Sequence, residues 1–199
     1  MLAQKKTMPP PNATQSIPPE TNGHMKRYIW LVTGPAGSGK STVAKYLATA
    51  LKFPYIEGDE FHPPGNIEKM RNGIALTDGD RWDWLIHLRQ ESIRQLDAGN
   101  TGVVLTCSAL KHKYRDVMRV APNSSPELQL RFIYLHAPEE VLMKRVSSRK
   151  GHYMAANMVH GQFDILEPPT KDETDVITID VTGSMEEIKK EILSKALGK

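Results

Sequence analysis

Only one cysteine, Cys107, occurs in the chain, which excludes an internal disulfide and suits a reducing compartment. No apolar stretch approaches the roughly 18 residues that a bilayer-crossing helix needs. Excess charge is scarce as well, since 26 Lys and Arg against 23 Asp and Glu leave a net +3 over 199 residues. With no basic run either, bulk electrostatics give no reason to expect nucleic acid or a membrane surface as partner. None of the 7 histidines stands at a zinc-type spacing, so a protein-held transition metal is not expected. A chain of 199 residues is long enough for one domain with a real core and short for two. The expectation is a soluble, cytoplasmic protein without internal repeats.

The first 26 residues differ from the rest. Pro9, Pro10, Pro11, Pro18 and Pro19 fall there among Thr, Asn, Gln and Ser, and the few apolar residues follow no period. Ordering such a stretch gains little against its entropy cost, so residues 1–26 read as a disordered N-terminal extension. A transit peptide is the alternative, but it should be Arg-rich and amphipathic, and the only arginine near this end is Arg27.

What is present begins with Gly34-Pro35-Ala36-Gly37-Ser38-Gly39-Lys40-Ser41. Two glycines around four variable residues, then Lys and Ser, form a P-loop pattern, and its physical content is anion capture. A Gly-rich turn aims backbone N–H groups inward, and the helix that follows adds the positive end of its dipole. Gly37 and Gly39 can take conformations closed to residues with a Cβ. Lys40 would reach the β- and γ-phosphates of a nucleotide, and the Ser41 hydroxyl would hold Mg²⁺. Tyr28 to Thr33 reads as a buried strand before the loop, and Val43, Leu47, Ala50 and Leu51 recur at helical spacing after it.

From Arg27 onward apolar runs alternate with helical patterns, which predicts an α/β parallel sheet covered on both faces. The expected strands after the first are one entered through Phe53 to Ile56 and ending at Glu57-Gly58-Asp59, then Gly102 to Cys107 (read as the central one), Leu130 to Leu135, and Val176 to Ile179. Helices are expected from about Asp80 to Ala98, from about Lys111 to Val120, and after Pro138 through Val146. A short helix should follow the polar segment around Lys150-Gly151-His152, and a final one opens at Ser184 with a capping box. A loop-rich section follows the second strand, marked by His62-Pro63-Pro64-Gly65 and then Asn72-Gly73. Ligands of an open parallel sheet sit beyond the strands' carboxyl ends, which here carry the P-loop, Glu57-Gly58-Asp59, Cys107-Ser108-Ala109 and Asp180-Val181-Thr182.

A P-loop alone says nucleotide. GTP switches also need a base-reading Asn-Lys-x-Asp, and the chain contains none. A small domain with a carboxylate after its second strand favours phosphoryl transfer to a small acceptor, a reaction that needs charge and alignment more than covalent help.

The stretch from Glu57 through His62, Pro63, Pro64 and Gly65 to Met70, continuing from Leu76 to Leu85, resembles the gluconokinase family. So do Cys107-Ser108-Ala109-Leu110-Lys111 with Tyr114-Arg115-Asp116, Arg145 and Arg149 with His152-Tyr153-Met154, and Gln162-Phe163 with Leu166 to Pro169. The likeness spans Arg27 to the C-terminus and departs at Gly161, where the family often has Ser, and at Asp83, where it often has Pro. It implies a P-loop kinase fold like that of shikimate and nucleoside monophosphate kinases, with a five-stranded parallel sheet, a substrate-binding section, and a lid at about residues 147–157. The implied reaction moves the ATP γ-phosphate to the 6-hydroxyl of D-gluconate, with Mg²⁺, and enzymes of this kind are often homodimers.

The same likeness distributes roles. Gly34, Pro35, Ala36, Gly37, Ser38, Gly39, Lys40, Ser41 and Thr42 would bind the nucleotide, with Arg145 and Arg149 over adenine and phosphates. Lys40, Asp59 and Arg149 would be catalytic, Asp59 by accepting a hydrogen bond from the attacking hydroxyl. Asp59, His62, Lys69, Arg81, Lys111, His152 and Gln162 would face the acceptor, with Arg81 pairing its carboxylate in a fork that Lys could not copy. Plainer roles stay open: Arg81 in a salt bridge to Asp78 or Asp80, Lys111 as a surface lysine, His62 in a turn hydrogen bond, and Arg145 and Arg149 on a solvated helix face. Glu57 would reach Mg²⁺ through water or serve as a buried structural acid. Cys107 reads as a small buried residue. Another kinase of this scaffold, a nucleotide-binding module without catalysis, or a nucleic-acid-stimulated ATPase are the rival functions.

Overall fold

The computed structural model of the chain describes residues 25–148 and 153–198. The element order is β1 (Arg27–Thr33), α1 (Lys40–Leu51), β2 (Tyr55–Ile56), a 3₁₀ turn (Gly58–Phe61), α2 (Pro64–Arg71) and α3 (Asp78–Asp97). Then come β3 (Gly102–Thr106), α4 (His112–Arg119), a 3₁₀ turn (Ala121–Ser124), β4 (Leu128–His136), α5 (Glu139–Ser147), α6 (Tyr153–Asp164), β5 (Val176–Asp180) and α7 (Met185–Ala196). Most of the expected extension lies outside the described residues, as does the Lys150-Gly151-His152 segment.

All strand pairs are parallel, in the order β2-β3-β1-β4-β5. Strand β3 is wholly buried, as its unbroken apolar run implies, but it is not the central strand. That place belongs to β1, which pairs with β3 on one side and β4 on the other. After β1 the chain crosses β3 to reach β2, and after β3 it crosses back over β1 to reach β4. The order therefore reverses between β1 and β3, and a crevice opens beyond their carboxyl ends.

Alternation along the strands splits the core in two. Trp30 and Val32 of β1, Val104, Ile133 and Leu135 join α1, α5, α6 and α7 through Val43, Leu47, Val146, Val159 and Ile188. Ile29 and Leu31 point the other way and join Phe132, Val103 and Leu105 to α3 and α4 through Trp84, Leu88, Tyr114 and Met118. Helices thus cover both faces, as expected. Capping is local where it was legible: Ser184 and Glu187 close a capping box on α7. Thr77 and Asp80 do the same on α3 and start it two residues before the expected Asp80.

The section read as loop-rich contains α2. Pro64 occupies its first turn, where the missing N–H costs nothing. Its only buried residue is Asn66, so no apolar period announces it. Among the described residues, no helix is long and apolar enough to cross a membrane.

Candidate active site

The turn between β1 and α1 is shaped as its glycines foretell. Gly37 has φ +82°, and a Cβ there would stand 2.8 Å from Val146 Cγ2, so only glycine fits. Gly39 precedes α1 in the left-handed region, no side chain caps the helix, and no acid stands in its first turn. The first N–H groups of α1 thus keep the positive end of the dipole open to an anion. Lys40 Nζ donates to Pro35 O at 3.0 Å, folding the side chain over the loop. Ser41 and Thr42 are exposed at the helix start.

At the end of β2, Glu57 accepts hydrogen bonds from the hydroxyls of Tyr55 (2.5 Å) and Thr106. Burial alone would raise its pKa. The bonds from Thr106, Tyr55 and Ser41, with the charge of Lys45, outweigh that and hold it below the usual carboxylate value. An ionised Glu57 therefore adjoins the hydroxyl expected to hold a metal. Thr106 Oγ1 in turn accepts from the Gly58 N–H at 3.0 Å, and Trp84 Nε1 donates to Gly58 O at 2.8 Å. These two bonds fix the turn that carries Asp59, an exposed residue.

His62 is 7 % exposed and stacks on Trp84 with ring centroids 4.0 Å apart. Burial pushes its pKa down, the Asp59 charge works the other way, and Arg81 adds to the lowering, so the ring is neutral near pH 7. The charges of Asp59, Lys40 and Arg81 also reach Cys107, whose thiol burial pushes up to about 12. Cys107 is thus an inert buried residue. The P-loop lysine, the aspartate after β2 and the arginine of α3 converge around the end of β3.

Arg81 forms no ion pair among the described residues. Asp80 instead takes Lys69 at 2.6 Å, and Asp78 takes Lys111 at 2.9 Å. Lys69 is therefore tied to α3 and Lys111 is one-fifth exposed, held beside the Tyr114 ring. Gln162 touches the P-loop, where its Oε1 accepts from the Ala36 N–H at 2.7 Å. Arg145 Nη2 donates to Val181 O at 2.6 Å, which puts it beside the loop after β5. Arg149 and His152 lie outside the described residues.

Only two buried side-chain polar atoms among the described residues lack a hydrogen-bond partner, Ser38 Oγ in the P-loop and Arg81 Nε. Buried polar atoms are nearly always paired, so one orphan in the P-loop and one on α3 point to ligand groups at both places. With the open start of α1, they fit a polyphosphate at the loop and an anionic acceptor at Arg81. Among the described residues no group of three or more His, Cys, Asp or Glu could hold a metal by itself. A single hydroxyl backed by Glu57 suits a metal that arrives with a nucleotide. Sequence reading missed Tyr55, Thr106 and Trp84, which touch no ligand in the expected scheme and hold those residues that do. Tyr55 and Thr106 signal themselves only by lying in strands β2 and β3, and Trp84 only as an apolar position of α3.

The AAA domain family matches residues 31–160. The "Probable gluconokinase" of Schizosaccharomyces pombe is 52% identical over 168 residues, which are 84% of this chain and 86% of that protein. The "Thermoresistant gluconokinase" of Escherichia coli is 39% identical over 159 residues, 80% of this chain and 87% of that one. A crystal structure of a gluconokinase from Sinorhizobium meliloti superposes with a TM-score of 0.75 at 40% identity, covering 87% of this chain and 93% of that chain.

Proposed function

The chain belongs to the gluconokinase family, and on that premise we propose that it transfers the γ-phosphoryl group of ATP to the 6-hydroxyl of D-gluconate. The products are ADP and 6-phospho-D-gluconate. The observation that carries this reading is the pair of orphaned buried atoms, Ser38 Oγ in the P-loop and Arg81 Nε on α3. Residues 27–199 act as one kinase domain.

Each residue's part follows from charge and position. The N–H groups at the start of α1 and Lys40 neutralise phosphate oxygens, most strongly where negative charge builds up in the transition state. Ser41, backed by Glu57, would hold Mg²⁺, which when bound offsets charge on the β- and γ-oxygens. Arg81 takes the acceptor's carboxylate and so turns the far end of the sugar acid toward the P-loop. Asp59 accepts a hydrogen bond from the 6-hydroxyl, aligns its oxygen, and receives the proton as the new P–O bond forms and the old one breaks. As a weak base it orients more than it abstracts. Neutral His62, held flat on Trp84, meets acceptor hydroxyls without adding charge.

A coupled assay over gluconate, related sugar acids, shikimate and nucleoside monophosphates tests the reading. Gluconate should have the highest kcat/KM. Turnover of another acceptor well ahead of gluconate overturns the assignment, and ATP binding without gluconate-dependent ADP release means a non-catalytic module.

A further inference from the structure

The reading of Arg81 leaves unexplained why its helix neighbour Asp78, three residues away, does not pair with it. Asp78 is fully engaged elsewhere. Its Oδ1 accepts from Lys111 Nζ at 2.9 Å and from the Tyr114 hydroxyl, and its Oδ2 accepts from Lys113 Nζ. The bonds from Lys113, Tyr114 and Lys111 hold its carboxyl well below the usual carboxylate range. Tyr114 itself is almost wholly buried and meets Trp82 edge-on at 5.7 Å. Over its ring stand the Arg81 guanidinium at 5.6 Å and the Lys111 ammonium at 5.7 Å. These bonds join the start of α3 to the start of α4, two helices that also share the core beneath.

We propose that Asp78 is a positioning residue for the acceptor: by gathering Lys111, Lys113 and Tyr114 it locks the Tyr114 ring beneath Arg81 and leaves the Arg81 guanidinium, whose Nη2 makes only a long 3.5 Å bond to Leu76 O, available to the acceptor's carboxylate. The proposal rests on Arg81 being the carboxylate's partner. Two lysines share the Asp78 carboxylate and Arg81 pairs with no acid among the described residues, so the wall keeps excess positive charge for an anionic acceptor. A planar cation resting on a ring keeps its edge free for a planar anion. A small loss of that alignment is enough to weaken productive binding.

Two accounts of Asp78 give opposite signs. Were it only a nearby negative charge, Asp78→Asn would strengthen the pull on an anionic substrate and lower the gluconate KM. As a positioning residue, its loss should raise the gluconate KM about tenfold, leaving the ATP KM within about twofold. Tyr114→Phe keeps the ring and loses the hydroxyl bond, so a smaller rise, about threefold, is expected. That variant also serves if Asp78→Asn melts early, because Asp78 stands in the first turn of α3.

Steady-state kinetics of the full chain, with melting temperatures, on Asp78→Asn, Tyr114→Phe, Arg81→Lys and the Arg81→Lys/Asp78→Asn double variant provide the test. If Asp78 acts through Arg81, the double variant should bind gluconate no worse than Arg81→Lys alone. A lowered or unchanged gluconate KM in both Asp78→Asn and Tyr114→Phe overturns the proposal, as does full additivity. If Arg81→Lys also leaves the gluconate KM unchanged, the role given to Arg81 fails first, which separates the two failures.

Discussion

The side-chain oxygen of Gln162 accepts a hydrogen bond from the backbone N–H of Ala36 at 2.7 Å, fastening α6 to the P-loop. That contact with the P-loop favours a nucleotide-side role for Gln162 over the acceptor-side role that its motif suggested. Gln162→Ala should therefore raise the ATP KM by about three- to tenfold, the worth of one hydrogen bond, with the gluconate KM unchanged. Initial rates with each substrate varied in turn decide it; a change confined to gluconate would return Gln162 to the acceptor.

Lys40→Met should abolish turnover, by a factor of at least about 10²–10³, while the circular dichroism spectrum and melting temperature stay near those of the parent. Lys40 stands at the partly exposed start of α1, so its loss opens no cavity in the core. Loss of folding in this variant would show a structural role that the phosphate reading does not contain.

Asp59→Asn should lower kcat by about 10²–10⁴ with little change in either KM, since the amide cannot accept the hydroxyl proton. A near-parental kcat would remove Asp59 from the chemistry.

Gly58→Ala should cost stability and activity together. A Cβ at Gly58 would lie 2.0 Å from Thr106 O, a backbone atom with no room to yield. Over-packing of this kind costs about 1–3 kcal/mol, and the turn carrying Asp59 would shift to relieve it. Denaturant titration alongside kinetics checks the pair. A stable variant with low kcat and a stable variant with full kcat both argue against the coupling.

The buried pair of Arg115 and Glu173, at 2.7 Å, makes a pH prediction. Burial alone would raise the Glu173 pKa, but hydrogen bonds from Arg115, Arg119 and the Thr170 N–H hold it at about 2, against 4.5 for a free side chain. A carboxyl depressed on folding stabilises the protein fully above the unfolded value. That contribution is lost as pH falls from 4.5 toward 2. Arg115→Met, which strands the carboxylate, should cost about 3–5 kcal/mol at pH 7 and flatten the acid limb of the melting profile. Parallel acid limbs in the two proteins would assign the acid sensitivity to other groups.

Several features needed only neighbouring residues. The P-loop turn follows from glycines that take φ values closed to side chains, and the α7 start follows from Ser184 and Glu187 three positions apart in one turn. Burial on both faces made β3 and β4 legible as apolar runs, and the gluconokinase motifs could be read in order along the chain. Helix α2 was illegible because it buries almost nothing, and β1 could not be told from β3 as the middle strand because both are buried throughout their cores.

The chain by itself thus determined that a phosphate-binding turn, a carboxylate after β2 and an arginine on α3 exist, and which family they belong to. Tertiary structure alone decided their partners: Gln162 meets Ala36 across 126 positions, and Asp78 meets Lys111 across 33. Caps and glycine turns are settled by bonds within one turn of chain. Which cation a carboxylate takes depends on how distant elements dock, and nothing in the spacing of residues along the chain carries that information.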